Sequence, residues 1–383
     1  MVCNMSSKEK TLDLYLKYQR CNLHPQGSEQ WHKNRIKSIG CSEHRKATGT
    51  KSSKTQLVKN KIFPCSLNHV QAIQWGNIME DTTKYLCELF LDVKINDCPG
   101  SIKSLDKVVT CSPDGLAVCS FPHQLSMLIL HNIIHKPEYR EIKKRYRGYS
   151  KIEDGEFVKN EILTFTVLFE FKTPFSRKLT DEISSEDYSR QVLMGLDCLI
   201  CSDVGIFYEA DIKSCNLEDL WFSETYYGCE NKAIGIKYFI MLSENNAEMT
   251  QISRNSLSQL GELGKDYITA ESPIFKKLNG KIKLKYNYTC AVPELEELID
   301  FEITRESVLE FYNKFNKIMH ARGAVYFMPW VLNQDQMFMF PKHENLGKRW
   351  IDECREVLQI VDKIAVSPEE DQRDAVQNIE FSL

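Results

Sequence analysis

One strand-like segment with two charged residues on the same face constrains this chain more than any other feature. The sequence at 169–174 is Phe-Glu-Phe-Lys-Thr-Pro, and it ends a run rich in β-branched and aromatic residues. Such a run predicts a strand over 163–172. Because successive side chains of a strand point to opposite faces, Glu170 and Lys172 are expected to project together while Phe171 points into the core. The strand therefore sets a carboxylate beside an ammonium group.

A second carboxylate, Asp114, lies upstream in the sequence Cys-Ser-Pro-Asp-Gly-Leu at 111–116. Pro-Asp-Gly is typical of a turn that closes a hairpin or ends a strand. Folded back beside Glu170, this turn would complete a hard oxygen site of the kind that Mg²⁺ prefers. Each string alone also fits an ordinary turn or a solvated strand face. Their joint occurrence in this order favours a metal-dependent phosphodiesterase site, in which Lys172 holds the attacking water and offsets transition-state charge.

Motif residues on both sides of this pair complete an ordered set. A helix with one apolar face is predicted over 71–91, and Trp-Gly-x-x-x-Glu lies near its start. A second helix, predicted over 186–201, carries Gln191 and Gly195 on one face. The ordered set consists of Trp31, His32, Arg35, Ser42, Trp75, Gly76, Glu80, the turn at 112–116, Glu170, Lys172, Pro174 and Gln191.

This ordered set resembles the lambda-exonuclease or YqaJ-type viral recombinase family of the PD-(D/E)XK nucleases, which includes viral alkaline exonucleases. The resemblance implies an α/β, restriction-endonuclease-like fold with a central mixed β-sheet flanked by helices. It implies that Asp114, Glu170 and the backbone carbonyl of Phe171 bind the metal, and that Lys172 orients the attacking water.

The resemblance also concerns the cofactor and the remaining motif residues. It implies two metal ions, Mg²⁺ with Mn²⁺ as a substitute. Glu80 and Gln191 would complete the surroundings of the second ion or of the nucleophile.

Arg35 and Ser42 resemble the residues that bind the 5′ phosphate of the digested strand, and we call them the terminal-phosphate pocket. A planar guanidinium binds a terminal phosphate bidentately, and a hydroxyl near a helix start adds a donor. On their own, a surface arginine and an N-cap serine are the simpler interpretation. Their spacing from Trp31 favours the pocket.

The charge of the chain indicates how nucleic acid could be bound. A net charge of −4 argues against a protein that coats nucleic acid by bulk electrostatics, although a nuclease needs only a local basic channel. One candidate channel is formed by the basic residues of the segment 33–61, in which Glu43 is the single acidic residue. It comprises Lys33, Arg35, Lys37, Arg45, Lys46, Lys51, Lys54, Lys59 and Lys61. A second basic cluster at 140–147, interleaved with tyrosines, fits either phosphate and base contact or a solvated insertion.

Cysteine and apolar patterns exclude several other classes of protein. The first residues of the chain contain no apolar segment of the kind that signal peptides have, so secretion is not expected. The fourteen cysteines are therefore expected to be free thiols rather than disulfides. Cys198 and Cys201 lack the partners that an iron–sulfur cluster needs and are interpreted as buried helix residues. No apolar run reaches the length of a membrane span. We expect a soluble, intracellular protein without membrane contact, in the nucleus or cytoplasm of a host if it is viral.

The placement of these motifs predicts the organisation of the chain. Residues 1–26 are expected to form a helical prelude, and 27–215 the nuclease core, with an insertion at about 120–160. Residues 216–383 are expected to form an α/β extension packed on this core. Further elements are predicted as strands at 108–111, 204–212 and 234–242, a helix at 305–320, a strand pair at 324–340 broken at Pro329, a helix at 347–364, and a loose acidic tail from Ser367.

The resemblance implies a Mg²⁺-dependent 5′→3′ exodeoxyribonuclease on linear double-stranded DNA. It would release 5′-mononucleotides and leave 3′ single-stranded tails for recombination or repair. A single-strand annealing or single-strand-binding protein is the expected partner, and a homo-oligomer is open, since phage relatives form a ring of three. Two alternatives stay open: an endonuclease or host-shutoff RNase on the same scaffold, and a DNA-binding factor without catalytic activity. A requirement for a terminal 5′ phosphate would discriminate the exonuclease.

Overall fold

A computed structural model describes residues 28–65, 70–97, 100–122, 133–140, 162–180, 186–215, 234–240, 285–289, 324–342 and 350–381, together with 13, 15–17, 24, 129 and 182–183. The helices are α1 (Glu29–Ile36), α2 (His44–Ala47), α3 (Lys51–Ile62), α4 (Gln71–Leu91), α5 (Glu186–Cys198), α6 (Ile351–Ala365) and α7 (Glu369–Gln377), and a 3-10 turn spans Cys41–Glu43. The strands are β1 (Ile39–Gly40), β2 (Ile102–Lys103), β3 (Val109–Cys111), β4 (Gly115–Pro122), β5 (Ile134–His135), β6 (Ile162–Lys172), β7 (Val204–Ser214), β8 (Ile234–Ile240), β9 (Lys285–Thr289) and β10 (Ala324–Pro341).

The described strands form one large mixed sheet and one small sheet. The large sheet has the order β4-β6-β7-β10-β8-β9, with β5 paired to β10. Only β6 and β7 run parallel in it, and the other pairs are antiparallel. The small sheet has the order β1-β3-β2. The predicted fold class, a mixed sheet flanked by helices, is confirmed.

Strand β6 is buried on both faces, which positions its charged end. Helix α4 packs against β6 and β7 on the face that carries Phe169 and Phe171. Helix α5 packs against the same two strands on the face that carries Leu168 and Phe207. A strand that is covered on both faces has a nearly continuous run of apolar residues in its sequence. Such a run precedes Glu170. The charged residues therefore lie where β6 emerges from the core.

Most predicted elements are found with small changes at their ends. The helix predicted over 71–91 is observed at Gln71–Leu91. The strands predicted at 108–111, 163–172, 204–212 and 234–242 are observed at Val109–Cys111, Ile162–Lys172, Val204–Ser214 and Ile234–Ile240. The helix predicted at 347–364 is observed at Ile351–Ala365. The helix predicted at 305–320, most of the prelude at 1–26 and the basic cluster beyond Arg140 lie outside the described residues.

The prediction of a strand pair broken at Pro329 is wrong. β10 is one strand that runs through Pro329, which pairs with Ile236 of β8. A proline has no N–H to donate, but its carbonyl still accepts, here from the Cys215 amide at 3.0 Å. The irregularity in the pairing with β7 lies instead between Leu332 and Gln334.

Two further predictions are wrong, one about the C-terminal tail and one about the end of helix α5. The tail from Ser367 is not loose, because Glu369–Gln377 is helical. Val376 and Ile379 are buried in the same apolar cluster as helices α3 and α6, which explains the order. Helix α5 ends at Cys198, so Cys201 lies after the helix, although both thiols are buried and free.

The described part of the predicted insertion joins the large sheet. β5 pairs with β10, and the next residue, Lys136, forms an ion pair with Asp335 of β10. The exposed fractions of these two side chains are 5% and 7%. The hydroxyl of Tyr208 on β7 also donates to Asp335. A buried charge pair therefore ties the insertion to a strand from the C-terminal part of the chain.

The described part of the chain contains no helix whose length and apolar character would let it span a membrane.

Replacing one member of this buried pair is expected to destabilise the fold strongly. In Asp335→Ala the Lys136 ammonium stays buried without its counter-charge, and loss of one partner of a buried pair costs about 3–5 kcal/mol. Chemical denaturation measures this change in the free energy of unfolding. Asp352→Ala serves as the matched control, because its ion pair with Arg355 is exposed and is worth about 0–1 kcal/mol. Equal losses in the two variants would contradict the prediction.

Candidate active site

The turn between β3 and β4 brings Asp114 to the end of β6. The Asp114 amide donates to the Phe169 carbonyl at 3.1 Å. The Phe171 amide in turn donates to Asp114 Oδ2 at 2.8 Å. Gly115, the first residue of β4, pairs with Phe169, so the Asp114 side chain continues the hydrogen bonding of the strand pair by one position. The turn ends a strand rather than closing a hairpin, since β3 belongs to the small sheet.

Glu170 and Lys172 project to one side of β6, as predicted. Lys172 Nζ donates to Glu170 Oε1 and to the carbonyl oxygen of Phe171, the latter at 3.1 Å. Gln191 Nε2 of helix α5 donates to the same Glu170 oxygen at 2.5 Å. The predicted catalytic residues Asp114, Glu170, Lys172 and Gln191 therefore form one hydrogen-bonded group around the end of β6.

A close approach of helix α5 to β6 allows Gln191 to reach Glu170. A Cβ atom at Gly195, one turn after Gln191, would lie 2.8 Å from Leu168 Cδ1 and 3.1 Å from Cys111 Sγ. Those distances are shorter than ordinary van der Waals contacts, so a larger residue would require the Leu168 and Cys111 side chains to move. Gly195 thus lets helix α5 lie close to β6 without such a shift.

Burial raises the pKa of each of the three carboxylates of the site, and the charge of Asp114 raises the pKa of the other two further. Burial, followed by the charge of Asp114, raises the pKa of Glu170 to about 7. The same two causes raise the pKa of Glu80 to about 8, and burial raises the pKa of Asp114. Burial would lower the pKa of Lys172, but Glu170 and Asp114 more than offset it, so the pKa of this ammonium is raised. One cation faces three carboxylates.

This excess of negative charge fits a divalent cation. Asp114, Glu170 and the Phe171 carbonyl offer oxygen atoms of the kind that Mg²⁺ prefers in proteins. Among the described residues, no three His, Cys, Asp or Glu side chains form a metal-holding group. The groups at this position that could hold a cation are two carboxylates and a carbonyl, and Glu80 lines the same cavity.

The site opens into a cavity of about 690 Å³. The motif residues that line it are Trp31, Arg35, Ser42, Gly76, Glu80, Ser112, Asp114, Glu170, Phe171, Lys172, Pro174 and Gln191. A Cβ atom at Gly76 would meet no atom within 4 Å, so this glycine of α4 leaves open space on the cavity wall. The fold brings together motif residues that are spread over most of the N-terminal half of the chain.

Helix α1 is fastened to the Asp114 turn at the same cavity. The indole N–H of Trp31 donates to Ser112 Oγ at 3.1 Å. The guanidinium of Arg35, one helical turn later, lies 4.7 Å from the centre of the Trp31 ring. Ser42, in the 3-10 turn after β1, is exposed on the cavity wall. Arg35 and Ser42 thus share one cavity with the carboxylates. His32 is exposed, with its ring against Trp31.

The other predicted DNA-binding residues lie away from the cavity wall. Lys37, Arg45 and Lys46 are exposed on the surface. Arg45 pairs at 2.8 Å with Asp187, which does line the cavity. Lys61, a member of the predicted basic channel, is buried, so the prediction that it faces DNA is wrong.

Arg177 and Tyr188 are among the residues of the cavity wall that sequence reasoning missed. Arg177 forms an ion pair with Glu209 of β7, whose side chain is fully buried. The Tyr188 ring stacks on Phe207 at 5.1 Å and has the Lys172 ammonium 5.8 Å from its centre. Glu209 follows directly on the apolar run at 204–208, and a charged residue at that point of a strand is the signal that could have indicated a partner in the site.

The raised pKa of Glu170 predicts a loss of stability with rising pH in the absence of divalent cations. Its pKa is 4.5 when unfolded and about 7 when folded, so the folded state binds more protons between these values. The resulting stabilisation is present below pH 4.5 and is lost as the pH rises through 7. The free energy of unfolding should therefore fall between pH 4.5 and 7. We expect Glu170→Gln to reduce this fall by on the order of 1–3 kcal/mol.

Thermal unfolding in chelator between pH 4.5 and 7.5 measures this dependence. The matched control is Glu369→Gln, at an exposed position of helix α7, which should leave the curve unchanged. An unaltered curve for Glu170→Gln would show that Glu170 is not the group that titrates.

One family model agrees with the motif analysis. A family model, the YqaJ-like viral recombinase domain, matches residues 30–198. No curated protein sequence matches the chain. The chain is similar to the crystal structure of an alkaline exonuclease (LHK-Exo) from Laribacter hongkongensis, with 13% identity, 48% of this chain and 74% of that chain covered, and a TM-score of 0.30. The structure of LHK-Exo in complex with dAMP gives 14% identity, the same coverage and a TM-score of 0.30.

The family match contains every residue of the hydrogen-bonded group at the end of β6. Asp114, Glu170, Lys172 and Gln191 all lie within 30–198, and the resemblance stated from the motifs is confirmed. Residues 30–198 are therefore a YqaJ-like viral recombinase domain, and the enzyme that contains them is a DNA nuclease, a phosphodiester hydrolase.

Proposed function

We propose that this nuclease is a Mg²⁺-dependent 5′→3′ exodeoxyribonuclease. It digests one strand of linear double-stranded DNA, releases 5′-mononucleotides and leaves a 3′ single-stranded tail. One observation carries the proposal: Arg35 and Ser42 line the same cavity as Asp114, Glu170 and Lys172. A terminal phosphate held by the first pair would bring the phosphodiester bond next to it towards the second group.

The residues around the end of β6 have separate tasks in this proposal. Asp114, Glu170 and the Phe171 carbonyl hold the cation, which when bound lowers the pKa of water and offsets the charge of the scissile phosphate. Gln191 keeps Glu170 in place through its 2.5 Å hydrogen bond. Because the pKa of Lys172 is raised, its ammonium stays charged at neutral and alkaline pH. Lys172 therefore acts as a donor and a positive charge rather than as a base.

The terminal-phosphate pocket supports an exonuclease over an endonuclease. The Arg35 side chain is one-third exposed, and its position over the Trp31 ring fixes the plane of the guanidinium. A fixed guanidinium plane suits bidentate binding of a phosphate. Ser42 adds a hydroxyl donor on the same wall. A substrate with a free 5′ phosphate would fill this pocket, whereas a closed circle has no such end.

The cofactor and the assembly follow from the same proposal. Mg²⁺ would be the preferred ion and Mn²⁺ its substitute, and Glu80, on the wall of the same cavity, would help to hold a second ion. The nuclease core spans 27–215, and 216–383 is an extension that shares its sheet. The 3′ tails would be taken up by a single-strand annealing or single-strand-binding protein. A homo-oligomeric ring around DNA would make digestion processive.

Degradation of end-labelled DNA tests the proposal. Linear duplex with and without a 5′ phosphate is compared with closed circular DNA and RNA, in Mg²⁺ and in chelator. We expect Mg²⁺-dependent loss of linear duplex that is faster with the 5′ phosphate. Lys172→Ala should lower the rate by about 10²–10³-fold, as loss of a transition-state donor does. Arg35→Ala should abolish the preference for the 5′ phosphate and retain cleavage.

Each other outcome points to another function. Cutting of closed circles or of RNA would indicate an endonuclease or an RNase on the same scaffold. DNA binding without metal-dependent cleavage would indicate a DNA-binding factor. Release of label from the 3′ end first would overturn the polarity.

A further inference from the structure

Lys61 is a buried lysine at the end of helix α3, directly behind the terminal-phosphate pocket. Its exposed fraction is 5%. Its ammonium donates to the carbonyl oxygens of Arg35 and Ser38 at 2.8 and 2.7 Å, and to Glu43 Oε2 at 2.9 Å. An ammonium has three donors, and these bonds use all three. Lys61 is therefore not a DNA contact, in contrast to the exposed lysines of the same helix.

The three acceptors belong to the two segments that carry the pocket. The Arg35 and Ser38 carbonyls lie at the end of helix α1, whereas Glu43 closes the 3-10 turn that contains Ser42. Glu43 Oε2 also accepts from the Gly40 amide at 2.8 Å, which fixes the start of the same turn. Lys61 thus joins the backbone that positions Arg35 to the turn that positions Ser42.

Glu43 creates an electrostatic conflict in this pocket. Its Oε1 lies 3.6 Å from Arg35 Nη2, so a carboxylate stands beside the guanidinium that is to bind a phosphate dianion. Burial raises the pKa of Glu43, but Lys61 and Arg35 outweigh it and keep the group ionised. Without Lys61, the charges of Arg35 and Glu43 would cancel and the carboxylate would repel the phosphate. With Lys61, the three groups together carry one positive charge.

We propose that Lys61 is a positioning residue that neutralises the charge of Glu43. The positive charge of Arg35 is then available to bind the terminal 5′ phosphate. The inference rests on the proposed function, because it assigns the pocket of Arg35 and Ser42 to that phosphate. Glu43 holds the turn, Lys61 offsets its charge, and Arg35 keeps the net positive charge at the cavity. Selectivity for phosphorylated ends therefore depends on a residue that never touches DNA.

The test compares initial rates on linear duplex with a 5′ phosphate and with a 5′ hydroxyl. Lys61→Met keeps the length of the side chain and removes its charge. We expect the ratio of the two rates to fall about tenfold, mainly through a higher KM for the phosphorylated end, because one nearby charge is lost. Glu43→Gln should retain or raise the ratio, and the double variant Glu43→Gln/Lys61→Met should restore much of it. Lys363→Met, at an exposed position of helix α6, is the matched control.

A purely structural role for Lys61 gives a different result. It would lower the rates on both ends in parallel, leave their ratio unchanged and give no recovery in the double variant, and any of these results would overturn the inference. If Lys61→Met does not fold, Glu43→Gln tests the inference instead. A ratio of the rates on phosphorylated and hydroxyl ends that is lower than in the unaltered protein would overturn it. Thermal unfolding of each variant accompanies the rates.

Arg35→Ala in the same assay separates the inference from the proposed function. Loss of the phosphate preference in Arg35→Ala but not in Lys61→Met would reject only the role of Lys61. An unchanged preference in Arg35→Ala would reject the pocket itself.

Discussion

The hydrogen bond from the Phe171 amide to Asp114 Oδ2 is the contact on which the rest of the site depends. It joins the turn after β3 to the end of β6, so that two carboxylates distant in sequence share one cavity. The bond also extends the pairing of β4 with β6 beyond Gly115, where the Asp114 amide donates to the Phe169 carbonyl. A buried amide would otherwise lack a partner, and leaving one unpaired is costly. The hydrogen bonds that extend this strand pair thus also bring the two carboxylates together.

Charge balance in the cavity follows a common pattern at its two ends. At the end of β6 three carboxylates face Lys172, which leaves an excess of negative charge that suits a cation. At the terminal-phosphate pocket Arg35 and Lys61 face Glu43, which leaves an excess of positive charge that suits a phosphate. In the proposed function, the first excess would hold the metal and the second the terminal phosphate. The net charge of −4 for the whole chain conceals this local separation.

Local patterns were sufficient to place several elements and most motif residues. The apolar run before Glu170 predicted β6, and helical spacing predicted α4 with its observed bounds. Prediction failed where contacts distant in sequence decide the outcome. β10 continues through Pro329 because β7 and β8 pair with it on both sides. The acidic tail is helical because Val376 finds an apolar cluster, and Lys61 is buried because three acceptors from α1 and the 3-10 turn surround its ammonium.

The sequence by itself determined which chemical groups are available and which strand and helix carry them. Alternation along β6 dictates that Glu170 and Lys172 face one way, since this is a property of any extended backbone. Only the tertiary structure decided which groups meet. It set Gln191 of α5 against Glu170 of β6, and it buried Lys61, which sequence reasoning placed on the surface, as a counter-charge for Glu43. Burial and pairing depend on neighbours from other segments, and no local pattern encodes them.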